Sequence, residues 1–573
     1  MPVRMGRGLG KGNGTMIEVA CTRIIESANT IMDYDLRNGL DNKIDGICPV
    51  IKVSSLVRAT AAQEDVVAKV FAKYALRLDI TMSSGQVDRD MRYPYIKATS
   101  WVRKLDEEHA LDYLLGLGCS TLQEASSGLE NFWAKYALSH GDHQVFKADI
   151  PLRQCVPIYV HGDEGTTFKK DGALVLSFCC PIGKGVACQK DGDVIDQSRL
   201  RMNFKGHCFK TRFVMGTLFK DDHEDYPSAV QQLLELILDD VNTASREGVL
   251  MRSGIRLHLI PLGNKGDWSY LALCQGGNIE ATFAGHLPPM LGRKSACPAY
   301  KRTMDQELPW NQEPLFITKL MHQVTRKAAF FKIDAFHTIN LGVAKVFGAS
   351  SLVYLSALCH GSSIEDRLAD LTAYYLEYCK ANGKTNYVNK IDKALLGWKT
   401  SAPDGSWNKG ALSTSLCLFI EHFTKVRSLE GSEDEMLSLI ASCSRALNFW
   451  MQSLYHSDIF IAKADAMKIN AAGRHFLAGF ARLSLLSFLR GNTRFTYIPK
   501  VHMFWHLVDY MCDQASQHDW VMNPLAESCS VDEDLIGRFC ILTRRVSPRL
   551  RGRRALERYL SQTLLVWQRP TKA

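Results

Sequence analysis

Three acids define the chemistry open to this sequence. Asp163 follows the apolar run Val156-Pro157-Ile158-Tyr159-Val160 and lies in His161-Gly162-Asp163-Glu164-Gly165. Asp267 follows Leu257-His258-Leu259-Ile260 through the glycine-containing turn Pro261-Leu262-Gly263-Asn264-Lys265-Gly266. Glu533 opens a helix-forming segment, Val531-Asp532-Glu533-Asp534-Leu535-Ile536-Gly537-Arg538. An apolar run that gives way to glycine and then to an acid predicts a carboxylate leaving the end of a central strand beside flexible glycines. Hard divalent cations, Mg2+ or Mn2+, take oxygen ligands, and two ions about 4 Å apart can activate a nucleophile and stabilise the leaving oxygen in phosphoryl transfer. Asp163, Asp267 and Glu533 are the predicted metal ligands and catalytic acids of one such site.

Each acid also has a plainer use. Asp163 could be a turn aspartate, with Glu164 its nearest competitor, and Asp267 could cap a helix starting at Trp268. Glu533 competes with Glu527, Asp532 and Asp534, any of which could complement a helix dipole. His502 and His506, at i and i+4, lack the glutamate and third ligand of a metalloprotease motif. No phosphate-binding G-x-x-x-x-G-K-[ST] loop exists, so no nucleotide cofactor is expected.

The elements that must position these acids follow from periodicity. Residues 1–15 are basic and glycine-rich and predict a disordered tail. Residues 16–150 read as helical, with amphipathic stretches at Glu64 to Leu76 and Glu107 to Leu117. From 151 the pattern turns to strands, at Val156 to Val160, Ala173 to Cys180 and Arg212 to Phe219, followed by a helix from Tyr226 to about Arg246. A strand ending near Asp267 and an apolar segment, Ala329 to Ile333, complete a unit at 151–340. Residues 341–525 read almost wholly helical, and 526–573 hold the Glu533 helix and a basic tail. The predicted fold class is α/β with a large all-α insertion.

Composition bounds the partners. With 46% hydrophobic and 23% charged residues, the chain reads as an ordinary globular protein. Its 17 cysteines include no C-x-x-C pair, which predicts reduced, buried thiols. Ile339 to Cys359 is long and apolar but reads as a buried helix, so no membrane span is expected. The net charge of +9 is concentrated late, in Arg538, Arg544, Arg545, Arg549, Arg551, Arg553, Arg554 and Arg558. A one-sided run just after Glu533 predicts contact with an anionic polymer, with Arg544, Arg545, Arg549, Arg551, Arg553 and Arg554 as the DNA-binding residues.

Ordered short motifs add a resemblance. Phe331-Lys332-Ile333-Asp334-Ala335-Phe336-His337, running into Asn340-Leu341-Gly342, resembles the D-x-x-H motif and leucine-glycine helix of CACTA-like and related cut-and-paste transposases. Pro499-Lys500-Val501-His502 is similar to their proline-lysine-x-histidine segment, and Glu533-Asp534-Leu535-Ile536-Gly537 to their glutamate-bearing helix. The resemblance spans about 154–560. It implies a ribonuclease H-like mixed sheet and a nuclear DNA transposase that cuts phosphodiesters and transfers strands. It also implies Asp163, Asp267 and Glu533 as catalytic acids, with Asp334 and His337 as an accessory pair. A metal-dependent nuclease without transfer activity, or a repurposed transposase that only binds DNA, would carry the same motifs; the expected partners are DNA and a further copy of the chain in a homo-oligomer. The sequence departs from the pattern in lacking a cysteine-rich element before the D-x-x-H motif and a zinc-finger reader before the core.

Overall fold

The computed structural model describes residues 76–568 apart from 89–90, 168–171, 187–197, 227, 275–309, 311, 400–401, 545 and 547–550. The expected basic tail at 1–15 and residues 64–75 of the first amphipathic stretch lie outside the described residues.

The core is one mixed sheet. Its strands are β1 (Ser83–Asp88), β2 (Met91–Tyr95), β3 (Cys155–Thr166), β4 (Gly172–Cys179), β5 (Phe213–Phe219), β6 (Val249–Leu250) and β7 (Arg256–Lys265). They lie in the order β1-β2-β5-β4-β3-β7-β6. The pairs β3–β4 and β4–β5 are antiparallel, whereas β3–β7 is parallel. β4 and β5 are buried along their whole length, as is β3 from Cys155 to Asp163. Strands covered on both faces read as unbroken apolar runs, which is why they are visible in the sequence.

A parallel return from β5 to β7 needs a crossover, and the helix Ala229–Arg246 supplies it. Val230, Leu233, Leu234, Ile237, Leu238 and Val241 form its buried stripe. Asp240 lies on the same buried side, where its carboxylate accepts from the Thr99 amide (3.0 Å) and hydroxyl (2.8 Å) at the start of the helix Ala98–Glu107. Gly248, at φ 69°, then turns the chain into β6.

Two expectations need correction. The N-terminal region read as mainly helical contributes β1 and β2, which extend the sheet beyond β5 through the Tyr95–Gly216 pair. They are short and only partly buried, and Pro94 argues against a strand on sequence grounds alone. The expected strand at Ala329 to Ile333 is a 3-10 turn, Lys327–Phe330, followed by a single parallel bridge between Phe331 and Asn264.

The residues that follow are helical. A π-helical segment, Phe336–Val343, continues into Ala344–Leu355, then come Ile364–Ala381, Gly410–Val426, Glu435–His456, Lys463–Leu489 and Pro499–Gln517. The first of these is long and apolar enough to cross a membrane, and Ile339, Val343, Phe347, Ala349 and Leu352 are completely buried within the protein. A small antiparallel pair, Phe460–Ala462 with Trp520–Met522, joins the middle of this block to its end. The chain then returns to the sheet through Ser530–Thr543 and Arg551–Gln568, which pack against each other. Every described cysteine except Cys512 is buried, and none of them is in a disulfide.

Candidate active site

β3 outruns its parallel partner. The last β3–β7 pair is His161 with Lys265, so Asp163 stands just past the end of β7 while still paired with Val175 of β4. The glycines around it therefore do not form a turn, as the sequence reading expected, but admit close neighbours. A Cβ on Gly162 would overlap the Tyr270 ring, and one on Gly165 would overlap Ile536 and Cys540. The first contact brings the helix Trp268–Cys274 against β3, and the second brings in the helix carrying Glu533. Strand alternation directs His161 and Asp163 to one face and Glu164 to the other, where it is exposed.

Asp163 and Glu533 meet there through a side-chain hydrogen bond. Burial raises the Asp163 pKa far above the carboxylate range, and the hydrogen bond and charge of Glu533, then the charge of Asp267, raise it further. Glu533 is also raised, by burial and by the charges of Asp334, Asp532 and Asp267, against a lowering hydrogen bond from Asp163. Two carboxyls in contact, one buried and one half-buried, cannot both ionise freely, so they either share a proton or hold a cation. Among the described residues, Glu533 Oε1 has no hydrogen-bond partner.

The rivals of Glu533 are engaged elsewhere. Asp532 is completely buried and accepts from Lys265 Nζ at 2.7 Å, with Arg212 Nε at 3.6 Å. Burial opposes both charges, but the pairing overcomes it, holding the Asp532 carboxyl far below and the Lys265 ammonium well above their ordinary values. Asp534 pairs with Arg538 at 2.7 Å, and Glu527 with Lys332 at 3.1 Å.

Asp267 serves as a helix cap, its Oδ1 accepting from the Tyr270 amide at 2.7 Å. It remains close enough for its charge to act on both Asp163 and Glu533. The ligand atoms gathered within 4.8 Å of one another come from His161, Asp163 and Glu533.

Asp334 and His337 lie at the entry to the π-helical segment. Asp334 Oδ1 accepts from the amides of Phe336 and Cys529, both at 2.8 Å, and Oδ2 accepts from the His337 amide at 2.9 Å and from its Nδ1 at 2.6 Å. This set occupies the carboxylate and turns His337 Nε2 toward Glu533 Oε1, 3.5 Å away. Burial opposes a charged His337, yet the hydrogen bond and charge of Asp334 win and raise its pKa, while Asp334 is lowered against its own burial by the same partner. Wide π turns recur at functional sites. Here Gly342 leaves room for the side chain of Lys500, whose Nζ approaches the Leu341 carbonyl at 3.4 Å. The D-x-x-H and proline-lysine-x-histidine segments are thus in contact. Burial and the nearby Lys345 lower the Lys500 pKa, against the charges of Asp334 and Asp267.

The arginine run does not continue the Glu533 helix, which ends at Thr543, and a new helix starts at Arg551. Arg551 is buried on Asp221 and Asp222, both at 2.9 Å, and lies over the Phe219 ring. Arg554 is buried against Glu557, which also takes Arg553 and Arg77, each at 3.2 Å. The expected row of phosphate contacts therefore loses Arg551 and Arg554 to internal pairs. Arg544 and Arg553 have exposed side chains, and Arg545 and Arg549 lie outside the described residues.

Sequence reasoning missed His161 and gave no role to Lys500. Their signals were the i, i+2 spacing of His161 from Asp163 and the position of Lys500 in Pro499-Lys500-Val501-His502. His502 and His506 face each other, Nε2 to Nε2, at 3.0 Å on the helix Pro499–Gln517. The chain matches no protein-family model and no curated protein.

Proposed function

We propose that this protein is a transposase-type, metal-dependent phosphodiester-cleaving enzyme with a ribonuclease H-like core. The observation that carries the reading is the meeting of buried Asp163 and half-buried Glu533, hydrogen-bonded at the open end of the β3–β7 pair with Asp267 beside them. The strand succession β5-β4-β3-β7, with two antiparallel pairs and one parallel pair reached through a helix, supports the ribonuclease H-like assignment.

The donor set fits a divalent cation: two carboxyls whose mutual repulsion is relieved by a positive charge, one of them with an oxygen that accepts no hydrogen bond and has His337 Nε2 3.5 Å away. Asp163 and Glu533 would hold it, with Asp267 adjacent. A bound Mg2+ or Mn2+ would supply charge neutralisation at phosphate and activation of an attacking hydroxyl. Asp334 fixes the orientation of His337, whose Nε2 stands 3.5 Å from Glu533 Oε1 and would steady that carboxylate when the imidazole is charged. Lys500 adds positive charge beside the acids, where a phosphate would need it. Arg544 and Arg553 extend that charge to DNA.

Nicking of supercoiled DNA in Mg2+ or Mn2+, wild type beside Asp163→Asn, tests the reading. Cleavage by the wild type that Asp163→Asn abolishes supports it. No cleavage by the wild type with either cation favours the reading of a DNA-binding protein without catalysis.

A further inference from the structure

His161 stands beside Asp163 and Glu533, and its surroundings are unusual for a core histidine. Buried histidines satisfy at least one ring nitrogen. The other buried histidines of this sheet region do so. His140 Nδ1 lies 2.8 Å from the Ser139 hydroxyl, His143 Nε2 lies 3.2 Å from the Pro261 carbonyl, and His258 Nδ1 lies 3.0 Å from the Ser245 carbonyl. His161 is 0% exposed, and among the described residues neither of its ring nitrogens has a hydrogen-bond partner. Burying an imidazole with both nitrogens unpaired is costly unless something else takes up a lone pair.

The position suggests what that is. His161 and Asp163 project from the same face of β3, and one ring nitrogen of His161 lies with an oxygen of Asp163 and one of Glu533 inside a 4.8 Å cluster. Ligand atoms on a tetrahedral ion with bonds of about 2.0–2.2 Å are about 3.3–3.6 Å apart, so side-chain movement of about 1–1.5 Å would close the set. The ion pairs on either side, Lys265–Asp532 and Asp334–His337, already use their own charges on each other.

We propose that His161, Asp163 and Glu533 form a mixed nitrogen–oxygen cation site that selects a borderline divalent transition ion, such as Co2+ or Zn2+, over Mg2+. Imidazole suits those ions, whereas Mg2+ keeps to oxygen ligands and gives up water reluctantly. The inference takes the location of the site from the functional reading above and does not depend on cleavage activity.

The test is cation binding by the full chain without DNA. Calorimetric titration of the metal-free protein with Co2+, Zn2+ and Mg2+ should give Co2+ and Zn2+ affinities at least about tenfold above that for Mg2+, with visible ligand-field bands for Co2+. His161→Asn should lower Co2+ affinity by about tenfold or more while changing Mg2+ affinity little, and Asp163→Asn should weaken both. If His161→Asn does not fold by circular dichroism, electron spin-echo modulation from 14N on wild-type protein loaded with Mn2+ reads the imidazole directly. Equal Co2+ affinity in folded His161→Asn, absence of 14N modulation, or no preference over Mg2+ overturns the proposal. Equal Co2+ affinity in folded His161→Asn, together with Mg2+-dependent nicking by the wild type, would overturn this inference and leave the enzyme reading standing. Selective Co2+ binding without any nicking would do the reverse.

Discussion

Lys265 Nζ stands 2.7 Å from Asp532 Oδ2 with both side chains essentially removed from solvent, and the same ammonium donates to the Ser528 carbonyl at 3.0 Å. Lys265 ends β7 and Asp532 lies in the first turn of the helix that bears Glu533, so this pair fixes where that helix starts relative to the sheet. It is also why Glu533, and not its neighbour, faces Asp163. Removing one partner of a buried pair strands the other charge and costs about 3–5 kcal/mol. Lys265→Met should therefore destabilise the fold by about that amount in denaturant unfolding, with the loss falling on the whole cooperative transition. A change below about 1 kcal/mol would mean that the pair does not anchor the helix.

The Asp163–Glu533 contact predicts an unusual pH response. A carboxyl whose folded pKa is raised holds a proton that the unfolded chain has already released, so its contribution to stability is lost as pH rises above the ordinary 3.8 toward the folded value. His337, also raised, acts in the same direction above its ordinary 6.5, whereas Asp334 and Asp532, both lowered, lose their contributions only in acid. The metal-free protein should melt at a lower temperature at about pH 8 than at about pH 5.5. Asp163→Asn should flatten that slope and raise the melting temperature at the upper pH. An unchanged slope in the variant would show that the two carboxyls are not coupled in solution.

His337 acts through Glu533 and is fixed by Asp334, so its removal should weaken cleavage without abolishing it. Loss of one general acid–base or positioning group typically costs 10²–10⁴-fold. His337→Ala should fall in the lower part of that range, and Asp163→Asn should lose all measurable cleavage. His337→Gln, which keeps a donor, should recover part of the loss. Equal loss in His337→Ala and Asp163→Asn, with folding intact, would make His337 a primary catalytic group.

What the sequence made legible follows burial. β3, β4, β5 and the crossover helix were readable because full burial leaves unbroken apolar runs or a clean helical stripe. β1 and β2 were not, because short, half-exposed strands carry little pattern and Pro94 counts against one of them. The acids could be ranked only by their surroundings. Asp532, Glu533 and Asp534 are adjacent letters, and what separates them is that Lys265, Asp163 and Arg538, each far away or a turn along, claim one apiece. His161 was hidden by the same limit, since a histidine in an apolar strand has no sequence signal that distinguishes a satisfied ring from an unpaired one.

The arginine run separates into two groups with opposite expected behaviour. Arg551, buried between Asp221, Asp222 and the Phe219 ring, ties the last helix to the short helix Lys220–Asp225 that follows β5. Arg551→Ala removes the cation shared by Asp221 and Asp222, with Asp222 keeping the Tyr93 hydroxyl at 3.0 Å, and should lower stability by about 3 kcal/mol, since the pair is partly shielded from water. It should leave the salt dependence of DNA binding unchanged. Arg544 is exposed, and each phosphate contact it makes would add about one unit to the slope of log affinity against log salt. Arg544→Ala should therefore reduce that slope by about one with an unaltered melting temperature. The opposite assignment, a reduced slope for Arg551→Ala and none for Arg544→Ala, would mean that the ion pairs to Asp221 and Asp222 open when DNA binds.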